Sequence, residues 1–168
     1  MYRTMYRNAR LAAVGACSVL ALSLAPTAAF ADGGDDVIDA NLTPSNVNDP
    51  SINGVAPGGV PWIIDRGEVR VRDDGRIDVR IEGLQVPAAD GSASNPVASI
   101  NAVLYCGGMA VANSGPHLLS VPGGDARFRV QLTAVPEHCD MATVLISPTP
   151  LVGVRFIASA VADDEDED

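Results

Sequence analysis

The chain has 168 residues, and its 21 acidic against 11 basic residues give a formal net charge of −10. Every one of the 11 is Arg, because the sequence contains no Lys. This length predicts one domain. The acidic balance argues against nucleic-acid binding, which needs cations against phosphate. An apolar content of 47% excludes a wholly disordered chain.

Residues 1–31 have the layout of a secretory signal peptide. A positively charged start with three Arg precedes the uncharged apolar run Leu11–Ala25. Ala29 and Ala31 match the small-x-small cleavage rule, so we predict cleavage between Ala31 and Asp32. The apolar run is shorter than the roughly 20 residues that a transmembrane helix needs. We therefore predict no membrane span.

A second export route is suggested by Val14–Cys17, which resembles a lipobox whose Cys17 would be lipidated. The apolar segment before Cys17 is short, and it continues well past that residue. Lipidation at Cys17 is therefore less favoured than signal cleavage. The sequence predicts a secreted protein, either extracellular or associated with the cell wall.

Two cysteines remain after the predicted leader, Cys106 and Cys139. In an exported protein such a pair is expected to form a disulfide. The alternative is a zinc site with His117 and His138, the two His of the chain. No C-x₂-C or H-x₃-H spacing supports zinc. We predict the Cys106–Cys139 disulfide and no cofactor.

Composition divides the predicted mature chain into three parts. Residues 32–58 are rich in Asp, Asn, Gly, Pro and Ser and predict a flexible arm. Residues 163–168 are all acidic and predict a disordered tail. Residues 59–162 predict a β domain between them. We expect the two acidic ends to bind calcium weakly at best, because no EF-hand loop pattern is present.

The clearest local element is a β-hairpin over Gly67–Gly83, where apolar and charged residues alternate. Directly opposed residues share a face, which fixes the register. The predicted pairs are Val71 with Ile77, Val69 with Val79, Arg70 with Asp78 and Glu68 with Arg80. The loop is then Asp73–Gly75, with Gly where a positive φ is needed. The opposite-charge pairs favour a solvated sheet face over a binding patch.

Further period-two or short apolar segments follow along the chain. They are Pro61–Asp65, Val97–Cys106, Leu118–Val121, Ala126–Ala134, Ala142–Ser147 and Val152–Ala160. In Ala126–Ala134 the alternation points Arg127 and Arg129 outward. We count seven or eight strands and no amphipathic helix. This predicts an all-β antiparallel sandwich, immunoglobulin-like or a related Greek key.

Catalytic motifs are scarce in this sequence. There is no G-x-S-x-G, and Ser114 and His117 lie in a run of turn residues. Dispersed carboxylates leave a hydrolase open, but aromatic residues at 4% argue against sugar recognition. Trp62 is the best single candidate for a ligand contact. Packing in the core is the more favoured interpretation of Trp62.

One resemblance involves Gly59–Leu84, GVPWIIDRGEVRVRDDGRIDVRIEGL, followed by Asn95-Pro96 and a strand ending in Cys106. This combination resembles a group of small secreted β-rich proteins from high-GC bacteria, with no assigned activity. The resemblance implies a secreted β domain and transfers no catalytic residue.

Three functional hypotheses remain. The favoured one is a secreted, non-enzymatic sandwich acting through an unidentified protein or cell-envelope partner. The second is a carrier of a small molecule or metal in a sandwich cavity. The third is a hydrolase with dispersed carboxylates.

Overall fold

The computed structural model describes residues 35–162, which form short β-strands and one 3₁₀ turn at Thr149–Leu151. Between residues 35 and 162 no helix is long and apolar enough to cross a membrane. The strands are β1 (Asp36–Asn41), β2 (Thr43–Pro44), β3 (Ala56–Pro57), β4 (Arg66–Arg72), β5 (Arg76–Glu82), β6 (Val86–Pro87), β7 (Ala93–Ser94), β8 (Ser99–Cys106), β9 (Met109–Asn113), β10 (His117–Leu118), β11 (Ala126–Gln131), β12 (Thr143–Pro148), β13 (Arg155–Phe156) and β14 (Ala158–Val161).

Two parts of the prediction fall outside the described residues. The signal peptide, with its cleavage position at Asp32 and the alternative lipidation site Cys17, is one of them. The acidic run at residues 163–168 is the other. The fold concerns the chain between them.

Sheet 1 has four antiparallel strands in the order β1-β4-β5-β11. Its centre is the predicted hairpin of β4 and β5, with Val71 opposite Ile77 and Arg70 opposite Asp78. Gly75 has a φ of 84° in the connecting turn. Glycine adopts such a φ without steric cost. The predicted register and turn are both confirmed.

Sheet 2 has six strands in the order β10-β8-β12-β14-β2, and β9 pairs with β8 as well. β8 and β12 form its centre, with Leu104 opposite Val144 and Ala102 opposite Ile146. β1 of sheet 1 and β2 of sheet 2 are separated only by Leu42. One continuous stretch of chain therefore belongs to both sheets.

The main apolar cluster contains side chains from both sheets. It includes Val69, Val71, Ile77, Val79 and Ile81 from sheet 1, and Ile100, Ala102, Leu104, Val144, Ile146, Ala158 and Ala160 from sheet 2. A second cluster consists of Val55, Val103, Tyr105, Leu145 and Phe156. Successive side chains point to opposite faces of a strand, so the two clusters lie on opposite faces of β8 and β12.

Sheet 2 is consequently buried on both faces at its centre. Every residue of β12 is buried, whereas β4 and β5 alternate strictly between buried and partly exposed positions. The second face is covered by the parallel pair of β3 and β13, in which Phe156 lies beside Pro57. Ser45, which is 1% exposed, donates a hydrogen bond to the Phe156 carbonyl oxygen at 3.2 Å.

Cys106 and Cys139 form the predicted disulfide, with their Cα atoms 4.8 Å apart. Cys106 ends β8, and the next residue, Gly107, donates its N–H to the Asp140 carbonyl oxygen at 2.7 Å. The bridge therefore joins the end of β8 to the segment that leads into β12.

The predicted flexible arm is wrong for the described part of residues 32–58. β1 pairs with β4 along its length, and Ile38, Leu42 and Val55 are all buried. The physical reason is that Ile38, Ala40 and Leu42 alternate with polar residues. A few well-placed apolar side chains therefore fix a segment whose overall composition is polar.

The predicted first strand at Pro61–Asp65 is also wrong. The Trp62 N–H bonds to the Ser45 carbonyl oxygen, whereas the Ile63 and Asp65 N–H groups bond to Gln85 and Glu82. The segment therefore forms one isolated bridge, Ile63 with Gln85, beside the chain that continues β5, and no strand of its own. The strands outnumber the predicted seven or eight, because several two-residue pairs, such as β6 with β7, have no signal in the sequence.

Candidate interaction surface

Trp62 is placed in the core, not at a binding surface. Its side chain belongs to the main apolar cluster and is 5% exposed. A Cβ added at Gly58 would lie 2.7 Å from the indole Nε1, so the backbone passes directly over the ring. The structure therefore favours the packing interpretation of Trp62 over the ligand contact.

Ser114 and His117 do not form a nucleophile and base pair. The Ser114 hydroxyl accepts a hydrogen bond from the Ala102 N–H at 3.0 Å and donates one to the Gly115 carbonyl oxygen. The His117 ring stacks on Phe128, with the ring centroids 3.8 Å apart. Both side chains serve turn and packing roles, as expected for this run of turn residues.

The zinc alternative loses its sulfur ligands, because Cys106 and Cys139 are bonded to each other. Among the described residues no group of three or more His, Cys, Asp or Glu could hold a metal ion. Asp90 instead accepts hydrogen bonds from the backbone N–H and the hydroxyl of Ser92, and these bonds lower its pKa. Asp90 thus closes a turn.

The outward side of sheet 1 is the most distinctive surface in the described part of the chain. We call it the arginine face. Its members are Arg66, Arg70, Arg72, Arg76, Arg80, Arg127 and Arg129, together with Asp36, Asp39, Glu68, Asp78 and Glu82. Among residues 35–162, Arg155 is the one Arg outside this face. An acidic protein has concentrated its positive charge on one side of one sheet.

The charges of the arginine face form rows across the strands. The middle row alternates in sign through Asp39, Arg70, Asp78 and Arg129. The neighbouring row ends with two like charges, because Arg80 of β5 lies directly opposite Arg127 of β11. Like charges in directly opposed positions destabilise a sheet. This pair is therefore a local excess of positive charge.

Each acid on the arginine face is already engaged by an arginine. The carboxylates pair as Glu68 with Arg66 at 2.7 Å, Asp36 and Asp39 with Arg70 at 2.7 and 3.6 Å, Glu82 with Arg80 at 2.6 Å, and Asp78 with Arg129. Within residues 35–162, the Arg127 side chain makes no hydrogen bond or ion pair. Its exposed guanidinium is available to an anion from outside this range.

The ion pairs also keep their members charged. The hydrogen bond from Arg70 lowers the pKa of the Asp36 carboxyl. The hydrogen bond to Glu82 raises the pKa of the Arg80 guanidinium. A general acid in hydrolysis needs the opposite change, a carboxyl pKa raised toward neutrality. The resolved shifts at Asp36 and Asp90 are both downward.

Two depressions adjoin the Arg80–Arg127 pair. One, of about 710 Å³, lies on the arginine face between β1 and β11. The other, of about 580 Å³, lies at the end of β5 that is close to Asp65 and to Asp125. Both are lined by Arg80 and Arg127. Arginines outnumber acids in the lining of the first depression, which suits an anionic ligand, whereas the second is lined by Asp65, Glu82 and Asp125 as well as the two arginines.

The sequence predicted the hairpin charges but not this surface. Opposite-charge pairs within β4 and β5 favoured a solvated face, and those pairs are present. The alternation in β11 also pointed Arg127 and Arg129 outward. The missing information was that β11 pairs with β5. The two strands are far apart in the sequence, so the pattern of either strand alone does not indicate this pairing. Only that neighbour brings two further arginines to the face.

Comparison with protein-family models, with curated proteins and with solved structures finds no match for this chain. Any statement about function therefore rests on the chemistry of these surfaces. The resemblance to small secreted proteins of high-GC bacteria stays a prediction.

Proposed function

We propose that this chain is a secreted, non-enzymatic β-sandwich that acts by binding an acidic protein segment through its arginine face. The carrying observation is the opposed pair Arg80 and Arg127, of which Arg127 has no partner among the described residues. Arginine suits such a site because its planar guanidinium donates two parallel hydrogen bonds to a carboxylate.

The sandwich part of the proposal is supported by the shared apolar cluster. Side chains from one face of sheet 1 and one face of sheet 2 belong to it together. The crossing of one strand from β1 into β2 also occurs in sandwiches whose strands switch sheets. An immunoglobulin-like or related Greek-key order is the proposed topology.

Secretion is supported by the disulfide, because such bonds persist in oxidising compartments. The predicted signal peptide at residues 1–31 adds to this support. A rigid strand scaffold holds the arginines, and sites on strands are positioned more accurately than sites on loops. These features suit a binding module outside the cytoplasm.

The two alternatives have weaker support. A small-molecule carrier needs an enclosed, mainly apolar pocket, whereas the two depressions beside Arg80 are lined by charged side chains. A hydrolase needs converging free carboxylates, whereas those of the arginine face are paired with arginines.

The proposal is tested by binding a fluorescein-labelled oligoglutamate peptide to the secreted protein at low ionic strength. We expect binding that weakens as salt is added, because the attraction is between exposed charges. The double variant Arg80→Gln/Arg127→Gln should lose it. Arg155→Gln, which removes the one described arginine outside the face, should bind like the wild type. Equal loss in both variants, or no binding by the wild type and none by a variant in which the acids of residues 163–168 are neutralised, would reject the proposal.

A further inference from the structure

We infer that the C-terminal acidic run, Asp163–Asp168, is the chain's own ligand for the arginine face and competes there with acidic partners. This inference rests on the proposed binding role of that face. The run itself lies outside the described residues.

The charges of the run and of the arginine face are complementary. Every residue of the run is Asp or Glu, whereas the arginine face holds all described arginines except Arg155. The face also carries the opposed Arg80–Arg127 pair, in which Arg127 lacks a carboxylate partner among residues 35–162. Carboxylates placed between these two guanidinium groups would relieve the repulsion between them.

The run follows directly after β14 and Ala162, close to sheet 1. Val161 ends β14 opposite Thr143, and the Ala162 N–H bonds to the Ala142 carbonyl oxygen at 2.9 Å. β14 pairs with β2, which continues β1 through Leu42. Cα atoms of β14 also lie within 8 Å of Cα atoms of β1. The run therefore begins beside β1, the edge strand of the sheet that carries the arginine face.

The length of the run can be compared with the width of sheet 1. Six extended residues span roughly 20 Å at 3.3–3.6 Å per residue. Neighbouring strands lie about 4.8 Å apart, so β1 and β11 are separated by three such spacings, roughly 14 Å. The step from β14 to β1 uses up to 8 Å of that length, so an extended run reaches past β5, where its carboxylates come within the length of the Arg80 and Arg127 side chains. A short tether also gives an effective concentration in the millimolar range, which favours the intrachain ligand over a dilute external one.

The experiment compares the full secreted protein with a tail variant in which all six acids are neutralised. The changes are Asp163→Asn, Asp164→Asn, Glu165→Gln, Asp166→Asn, Glu167→Gln and Asp168→Asn. The labelled oligoglutamate peptide should bind the tail variant about tenfold more tightly at low salt, because the tethered competitor is gone. The difference should vanish in high salt.

A matched pair of variants separates competition from a general change in net charge. Asp166→Asn/Glu167→Gln and Glu137→Gln/Asp140→Asn remove the same charges, the first pair in the run and the second in the loop that holds Cys139. We expect tighter peptide binding from the tail pair only. Equal effects of the two pairs would overturn the inference.

A second measurement needs no added ligand. The ¹⁵Nε–¹Hε NMR signals of Arg80 and Arg127 should shift between the wild type and the tail variant. If neither protein binds the peptide but these signals shift, the proposed function and the competition fail, and only the intrachain contact of the run with the arginine face stands. If both bind the peptide equally and the signals coincide, the function stands and the inference fails. A shift that disappears on dilution would assign the run to a second copy and overturn the intrachain form.

Discussion

Sheet 1 and sheet 2 are both antiparallel, yet they bury their side chains differently. β5 alternates between buried and partly exposed residues, whereas every residue of β12 is buried. The difference arises because β3 and β13 cover the far side of sheet 2, while the far side of sheet 1 carries the arginine face. One sheet therefore has two packed faces, and the other has one packed face and one charged face.

The largest expected effect follows from this difference. Leu145→Ala truncates a side chain on the far face of sheet 2, where it is 0% exposed. We expect a loss of about 3–5 kcal/mol of unfolding free energy, because the change leaves a cavity. Asp78→Ala truncates a side chain on the far face of sheet 1 and should cost at most about 1 kcal/mol, the range of surface ion pairs. Urea unfolding of both variants measures the contrast, and equal losses would contradict it.

The disulfide connects the end of β8 in sheet 2 to the chain that follows β11 of sheet 1. The loop that it closes contains β11, which carries Arg127. Cys106→Ser/Cys139→Ser should lower stability by about 3 kcal/mol, because opening a loop of this length increases the entropy of the unfolded chain. Reduction of the wild type should reproduce the loss in thermal unfolding, whereas the variant should not respond to reductant. A reductant effect on the variant would assign the loss elsewhere.

The next effect concerns the contact between the hairpin turn and the chain that follows β11. Gly75 and Gly91 both have a φ of 84°. A Cβ at Gly75 would lie 2.9 Å from the Leu132 carbonyl oxygen, whereas a Cβ at Gly91 would meet nothing within 4 Å.

We expect Gly91→Ala to cost about 1 kcal/mol from backbone strain alone. Gly75→Ala should cost about 2–3 kcal/mol, because the close contact adds to that strain. Chemical denaturation of the two variants checks this difference. Equal costs would show that the close approach of the Leu132 carbonyl oxygen to Gly75 does not add to the loss of stability.

The smallest effect is electrostatic and depends on pH. Arg70 lowers the pKa of Asp36 in the folded protein. A lowered folded-state pKa contributes stability above the unfolded-state pKa of about 3.9, and this contribution is lost as pH falls through the folded-state value.

Asp36→Asn should therefore cost about 0.5 kcal/mol at pH 7, the size expected of a solvent-screened pair. The two proteins should become equally stable in strong acid. Asp39→Asn is the matched control and should cost less, because the Asp39 carboxylate lies 3.6 Å from the Arg70 guanidinium, whereas that of Asp36 lies 2.7 Å from it. Thermal unfolding across pH measures both, and a difference that persists in acid would exclude the ion pair as its cause.

The predictable parts of the fold are those determined by neighbouring residues. The hairpin register followed from which side chains must share a face, and the Cys106–Cys139 bond followed from the two cysteines that remain after the predicted leader. β1 carried the same period-two signal at Ile38, Ala40 and Leu42. Its polar composition concealed that signal, because composition averages over the few residues that are buried.

The parts that could not be predicted depend on distant segments. Val103 and Leu145 lie on the second buried face of sheet 2, where they pack with Val55 and Phe156, and nothing in their own strands indicates this cover. The arginine face likewise depends on β11 lying beside β5. Pairwise charge matching within one hairpin cannot anticipate a third strand.

The most direct test of the central claim is NMR mapping of the labelled oligoglutamate peptide on the protein. We predict the largest shifts at Arg80 and Arg127, with smaller ones on the outward residues of β4. We predict none at the exposed apolar side chains Leu118 and Met141, which are 85% and 67% exposed. Shifts centred on Leu118 or Met141, with Arg80 and Arg127 unchanged, would contradict it.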